Sequence, residues 1–142
     1  MFARTISLIG NDNLELIKSK TVLVVGLGGV GGYVVETLIR SGIENIILVD
    51  YDTISLSNLN RQIISTRENI GNKKTLEFKK RINSINPKCN VTILDMFLER
   101  SNINVLDNYK IVSGTYEDGE VFLDEVFSEV NLKATLPLFV KE

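Results

Sequence analysis

The sequence predicts an α/β fold, a mostly parallel sheet with flanking helices, and three observations carry that prediction. Val22-Leu23-Val24-Val25 and Ile46-Ile47-Leu48-Val49 are short unbroken apolar runs, as strands buried on both faces require. Between them Val30, Val34 and Leu38 recur one helical turn apart and Gly42 supplies a stop, so a helix links the two strands. A glycine-dense turn, Gly26-Leu27-Gly28-Gly29-Val30-Gly31-Gly32, joins the first run to that helix.

The remaining elements follow along the chain. Asp12 and Glu15 make a capping-box-like start, and Leu14, Leu16 and Ile17 suggest a short helix leading into the first strand. After the second strand Asp50-Tyr51-Asp52 turns polar, and residues 58–72 mix turn formers and charges around Ile63-Ile64, so a loop with short helical turns is expected. Residues 73–86 read as a helix, with Phe78, Ile82 and Ile85 on one face and Asn86-Pro87 as its end. Residues 91–97 suit a third strand, Ser101 is placed to cap a short helix reaching Leu106, and Tyr109-Lys110-Ile111-Val112 reads as a fourth strand. The alternation is βαβαβαβ, each consecutive pair of strands making a right-handed crossover. Past Val112 the pattern weakens; Phe122, Val126 and Val130 fit either a helical face or an alternating strand. Residues 1–112 are therefore expected to form the N-terminal part of a nucleotide-binding domain with an incomplete sheet, and 113–142 a divergent tail.

Composition narrows the chemistry. The chain has 142 residues, a net charge of −2, one cysteine and no histidine. One domain is expected, and the charge balance indicates neither a nucleic-acid surface overall nor a disordered chain. A single thiol, Cys89, cannot close an intrachain disulfide or build a multi-cysteine zinc site; it reads as a packed structural thiol in a reducing cytoplasm. Without histidine the usual general base and metal ligand are absent. No apolar run approaches the length of a membrane span.

Gly26, Gly28 and Gly31 fit the G-x-G-x-x-G pattern of Rossmann-like folds: a tight turn, a close approach of backbone to pyrophosphate, and close helix–strand contact. The helix that follows presents unpaired N–H groups and its positive dipole end to an anion. Asp50 comes about twenty residues later, at the carboxyl end of the second strand, where a carboxylate accepts hydrogen bonds from ribose hydroxyls. Asp52 is a second candidate at that edge, with a turn-forming role as the alternative. Asn58, Arg61 and Lys74 come soon afterwards, and a dinucleotide dehydrogenase has no special need of them. A triphosphate does: arginine offers a bidentate fork, lysine a point charge, and asparagine can orient an oxygen.

These residues also carry a resemblance. Arg4-Thr5 near Leu8-Ile9-Gly10, the 22–32 stretch, Arg40-Ser41-Gly42-Ile43, Val49-Asp50-Tyr51-Asp52-Thr53, Leu56-Ser57-Asn58-Leu59-Asn60-Arg61-Gln62, Gly71-Asn72-Lys73-Lys74 and Ile85-Asn86-Pro87 together resemble the adenylating family of ThiF, MoeB and the ubiquitin-activating enzymes. Within it the chain looks most like the tRNA threonylcarbamoyladenosine dehydratase branch, and the resemblance covers residues 1–112.

The resemblance implies ATP with magnesium, adenylation of a carboxylate and release of pyrophosphate. It assigns Gly26, Gly28, Gly29 and Gly31 to the phosphate loop, Asp50 to the ribose, and Asn58, Arg61 and Lys74 to the triphosphate. Arg4 matches an arginine that family dimers extend to the partner's nucleotide, so a homodimer is implied, and a sulfur-relay or ubiquitin-like partner protein is compatible with the family. In the dehydratase branch the activated carboxylate is the threonylcarbamoyl group of a tRNA adenosine; Lys79, Lys80 and Arg81 are then the expected basic surface for tRNA. The pattern departs from the family after the fourth strand. Ile111-Val112-Ser113-Gly114-Thr115 stands where the family carries its magnesium-holding aspartates, and Asp118 and Asp124 lack the expected spacing. A shortened member with little turnover is therefore the expectation. A nucleotide-binding or dimerising module without catalysis and an NAD-dependent oxidoreductase are the alternatives.

Overall fold

The computed structural model describes residues 1–107 and the backbone of residues 110–113 and 138–141. Two short helices, α1 (Ala3–Ile9) and α2 (Asn11–Ser19), open the chain and are broken apart by Gly10 at φ +82°. Then come β1 (Thr21–Val25), α3 (Gly31–Ser41), β2 (Asn45–Val49), α4 (Lys74–Ile85) and β3 (Asn90–Leu94). One-turn 3₁₀ segments at Leu56–Asn58 and Arg67–Asn69 punctuate the long β2–α4 connection, and a longer one spans Arg100–Leu106.

The sheet order is β3-β2-β1-β5-β4, where β4 is Lys110–Ser113 and β5 is Leu138–Lys141. β1, β2 and β3 form a parallel set, with Leu23 level with Ile47 and Ile47 level with Thr92. β5 lies antiparallel between β1 and β4. The expected fourth strand is present, but a fifth, unforeseen one separates it from β1. The pattern at Phe122, Val126 and Val130 lies outside the described residues, as do Asp118 and Asp124.

Period-two alternation sends successive side chains of β1 to opposite faces, and both faces are covered. Val22 and Val24 join Ile46 and Leu48 of β2, Val35 and Ile39 of α3, and Phe78 and Ile82 of α4 in one cluster. Leu23 and Val49 point the other way, onto Leu106 and the apolar residues that precede it. Fully burying such a side chain contributes about 1.5–3 kcal/mol, so the sheet is held from both sides.

Four expectations are corrected in detail. The buried face of α3 is Gly31, Gly32, Val35 and Ile39, rather than a stripe through Val30, Val34 and Leu38. The cause is Gly31: a Cβ there would stand 1.8 Å from the Gly26 carbonyl oxygen, so its face of the helix is pressed onto the strand end and residues one turn on follow it inward. β3 ends at Leu94, three residues early, where Asp95 begins a polar bend. Ser101 does not cap the 3₁₀ segment; Glu99 is its N-cap and Ser101 Oγ hydrogen-bonds to Glu99 Oε1. α2 starts after Gly10 with no side-chain cap, and Glu15 pairs with Lys18 instead.

Candidate functional site

The site is built at the carboxyl ends of β1 and β2. β1 ends at Val25 and Gly26 continues its ladder, donating to the Val49 carbonyl at 2.8 Å. Gly26 then turns the chain at φ +81°, a left-handed conformation that side chains disfavour. Helical bonding begins with the Gly32 N–H on the Gly28 carbonyl. No side chain caps the start of α3, so its first-turn N–H groups face out of the helix beside Gly28 and Gly29.

Asp50 braces this turn. It is buried, and its two carboxylate oxygens accept the backbone N–H groups of Leu27, at 2.6 Å, and Asp52, at 2.8 Å. Each oxygen retains a further lone pair that a hydroxyl could use. Asp52 is half-exposed and forms an ion pair with Lys74 Nζ at 2.8 Å. That lysine is buried at the start of α4 and is brought under the end of β2 by local pairing: Thr53 bridges to Lys73, and the Lys74 N–H donates to the Asp52 carbonyl. Lys73 ties the ends of β2 and β3 together through the Tyr51 carbonyl, at 2.7 Å, and Asp95, at 3.0 Å.

Arg61 lies against the glycine turn. A Cβ on Gly29 would meet its Cγ at 3.5 Å and its Cδ at 3.6 Å, so the arginine stem lies over that glycine. Its Nη1 donates to the Ser57 carbonyl and to Asn60 Oδ1, both neutral groups, and it pairs with no carboxylate among the described residues. A cation held without a counter-charge beside outward-facing backbone amides suits an anion. Asn58, which is buried, sets that arginine's position: its carbonyl accepts the Arg61 N–H and its Oδ1 accepts the Ser55 N–H in a capping box.

Other expected residues lie apart from this cluster. Arg4 is exposed on α1. A Cβ on Gly42 would touch Leu14, Ile17 and Phe2, so the N-terminal helices sit at the far end of the 11-residue α3, about 16 Å along its axis from the glycine turn. The Lys79-Lys80-Arg81 surface is largely spent within the chain. Lys80 pairs with Glu77, and Arg81 makes a two-pronged contact with Glu36 of α3. Burial works against the Glu36 charge, but the Arg81 and Arg40 guanidiniums win and hold its carboxyl below the usual range. Cys89 is packed in the core, and burial, helped by Glu44, pushes its thiol up to about 11. At neutral pH it is a protonated structural thiol, as expected, and not a nucleophile. No group of three His, Cys, Asp or Glu side chains among the described residues could hold a metal ion. No helix among them is long and apolar enough to cross a membrane.

Sequence reasoning singled out Asp50, Asn58, Arg61 and Lys74, but it passed over Gln62, which adjoins the same turn, and Lys73. Both stand inside the quoted segments, next to residues that were chosen.

Residues 2–116 match the sequence pattern of the ThiF family. The chain belongs to the ThiF family. It is 44% identical over 96 residues to the tRNA threonylcarbamoyladenosine dehydratase of Bacillus subtilis strain 168, an overlap that covers 68% of this chain and 38% of that protein. Its identity to the enzyme of the same name from Escherichia coli strain K12 is 41% over 102 residues, covering 72% and 38%. Over 114 residues it is 40% identical to the probable molybdopterin-synthase adenylyltransferase of Porphyra purpurea, covering 79% and 30%. The crystal structure of the E. coli dehydratase in complex with ATP superposes with a TM-score of 0.71 at 40% identity, covering 73% of this chain and 43% of that one. This ThiF-family chain thus spans 38% of the length of the Bacillus subtilis and Escherichia coli dehydratases.

Proposed function

We propose that this chain binds ATP on the Gly26–Gly31 turn and transfers its adenylyl group to a substrate carboxylate, releasing pyrophosphate. The observation that carries this reading is the placement of Arg61, stretched over Gly29 with no acidic partner among the described residues, beside the same turn that Asp50 braces. ATP in the related E. coli structure supports the same ligand.

The reaction asks for alignment and charge neutralisation, not for a protein nucleophile. A carboxylate oxygen attacks the α-phosphorus, the bond to the bridging oxygen of pyrophosphate breaks, and the leaving group departs with its charge. The loop amides and Arg61 neutralise phosphate oxygens, while the spare lone pairs of Asp50 take the ribose hydroxyls. Lys74 and Asp52 form the edge of the pocket, and Asn58 orders the segment that delivers Arg61. The absence of histidine is no obstacle to such chemistry. Magnesium would accompany the triphosphate and neutralise part of its charge, and Asp50 and Asp52 are the carboxylates beside the turn that would lie near it.

For the substrate, the relatives' names favour the threonylcarbamoyl group of a tRNA adenosine, and a cytoplasmic setting would suit that substrate. An internal amine would then displace AMP and close a ring with net loss of water. Arg4, distant from the turn of its own chain, fits a role at a second copy's nucleotide in a homodimer. A sulfur-relay or ubiquitin-like protein is the partner the other relatives suggest. Because Lys80 and Arg81 are engaged, tRNA contact would rest on Lys79 and other surface cations.

ATP–pyrophosphate exchange tests the reading. Magnesium-dependent exchange above background, abolished in Arg61→Ala, is expected. ATP binding without exchange would instead support a nucleotide-binding or dimerising module, and tighter binding of NAD than of ATP would support an oxidoreductase.

A further inference from the structure

Gln62 follows Arg61 in the chain and reaches the neighbouring glycine of the turn. The residue is buried, only 7% exposed, yet its Oε1 has no hydrogen-bond partner among the described residues. Its backbone is well used: the N–H donates to the Asn58 carbonyl, and its own carbonyl accepts the Ser65 N–H. The side-chain amide is the part left over. Buried polar atoms in folded proteins are nearly always hydrogen-bonded, because an unmet donor or acceptor loses its water without compensation. An isosteric methionine would suit an interior position of this size better. The amide also has a direction. A Cβ placed on Gly28 would have a single neighbour within 4 Å, Gln62 Nε2 at 3.8 Å, so the NH₂ end lies against the open side of the middle glycine of the motif.

We propose that Gln62 is a phosphate-binding residue, whose Nε2 donates a hydrogen bond to a nucleotide phosphate oxygen resting on the Gly28 and Gly29 backbone. The inference rests on the nucleotide reading above and adds a side-chain donor to it. The turn supplies backbone amides from one side, Arg61 covers Gly29, and Gln62 covers Gly28. Its neutrality is useful there: a neutral amide helps fix the orientation of a phosphate group while leaving the net charge of the pocket to Arg61. The amide is a stability fault at Oε1 and a ligand contact at Nε2; a poorly satisfied polar side chain kept because it serves binding is a common pattern at binding sites.

The test is Gln62→Met, which keeps the length and volume of the side chain and removes both polar atoms. ATP binding is measured by calorimetry and ligand-free melting by circular dichroism. The expected result is an ATP affinity lower by about tenfold, one good hydrogen bond to a charged group, with a melting temperature equal to or above that of the unsubstituted chain. Equal ATP affinities would overturn the proposal. As a second measurement, independent of how the variant folds, the side-chain NH₂ signals of Gln62 are followed in ¹⁵N-labelled unsubstituted protein. They are expected to shift on adding ATP and to stay in place on adding adenosine, which lacks phosphate. Unmoved signals at saturating ATP would overturn the proposal while leaving the nucleotide reading intact; failure of the unsubstituted chain to bind ATP at all would overturn both.

Discussion

The Asp50 carboxylate accepts the Leu27 N–H at 2.6 Å, tying the carboxyl end of β2 to the turn that leaves β1. One buried side chain thereby fixes the shape of the turn and presents its remaining lone pairs to whatever binds there. Asp50→Asn removes the charge and turns one acceptor into a donor facing a backbone N–H. A loss of about 1–3 kcal/mol in stability is expected, together with a fall in ATP affinity of tenfold or more. Thermal melts and calorimetric titration of the same variant check both.

Gly31→Ala puts a methyl group 1.8 Å from the Gly26 carbonyl oxygen, and backbone cannot yield as a flexible side chain can. The turn must open or α3 must lift off β1. Destabilisation at or beyond the usual overpacking cost of about 1–3 kcal/mol is expected, with loss of ATP binding. Gly10→Ala, at positive φ but with open space around it, gives a comparison for strain without steric collision.

Arg61→Ala should separate binding from folding. The side chain is exposed and its bonds are to neutral neighbours, so the melting temperature should move little. ATP affinity should fall about tenfold or more, and its dependence on salt should weaken, because a cation facing phosphate has been lost. Arg61→Lys should recover only part of the affinity, since it restores charge without the fork.

Glu36 links α3 to α4 through Arg40 and Arg81, and its carboxyl is held below its usual range by them although burial opposes it. A carboxyl whose value is lower in the folded chain stabilises above its unfolded value of about 4.5, and that contribution disappears as pH falls through the folded value. Glu36→Gln should therefore cost about 1 kcal/mol at neutral pH, and the gap to the unsubstituted chain should close on acidification below pH about 4. Urea melts across that range measure it.

Cys89, with its thiol raised to about 11 by burial, should react slowly with a thiol reagent at pH 8 in the folded chain and rapidly once denaturant exposes it. Fast labelling of the native protein would contradict its assignment to the core.

Much of this was readable from residue patterns because it depends on local spacing. β1, β2 and α4 announced themselves through runs and periods, and the glycine turn through steric demands that only glycine meets. The face of α3 was misjudged because periodicity alone cannot choose between two adjacent stripes; contact of Gly31 with Gly26 decides it. α1 went unseen, since none of its residues is buried and no capping side chain marks its start. The antiparallel entry of β5 between β1 and β4 is a long-range pairing that local sequence does not encode. At the site, Asp50 and Arg61 were chosen for chemistry that side chains carry in any context. Gln62 was missed because what distinguishes it, a buried oxygen without a partner among the described residues, exists only once the chain has folded.

The most direct test is an ATP titration of the ¹⁵N-labelled chain, following backbone amides. The account expects the largest shifts at Gly28, Gly29 and Val30, with Leu27 and Asp52 responding through Asp50. Saturable ATP binding that leaves those amides in place and moves others would contradict it.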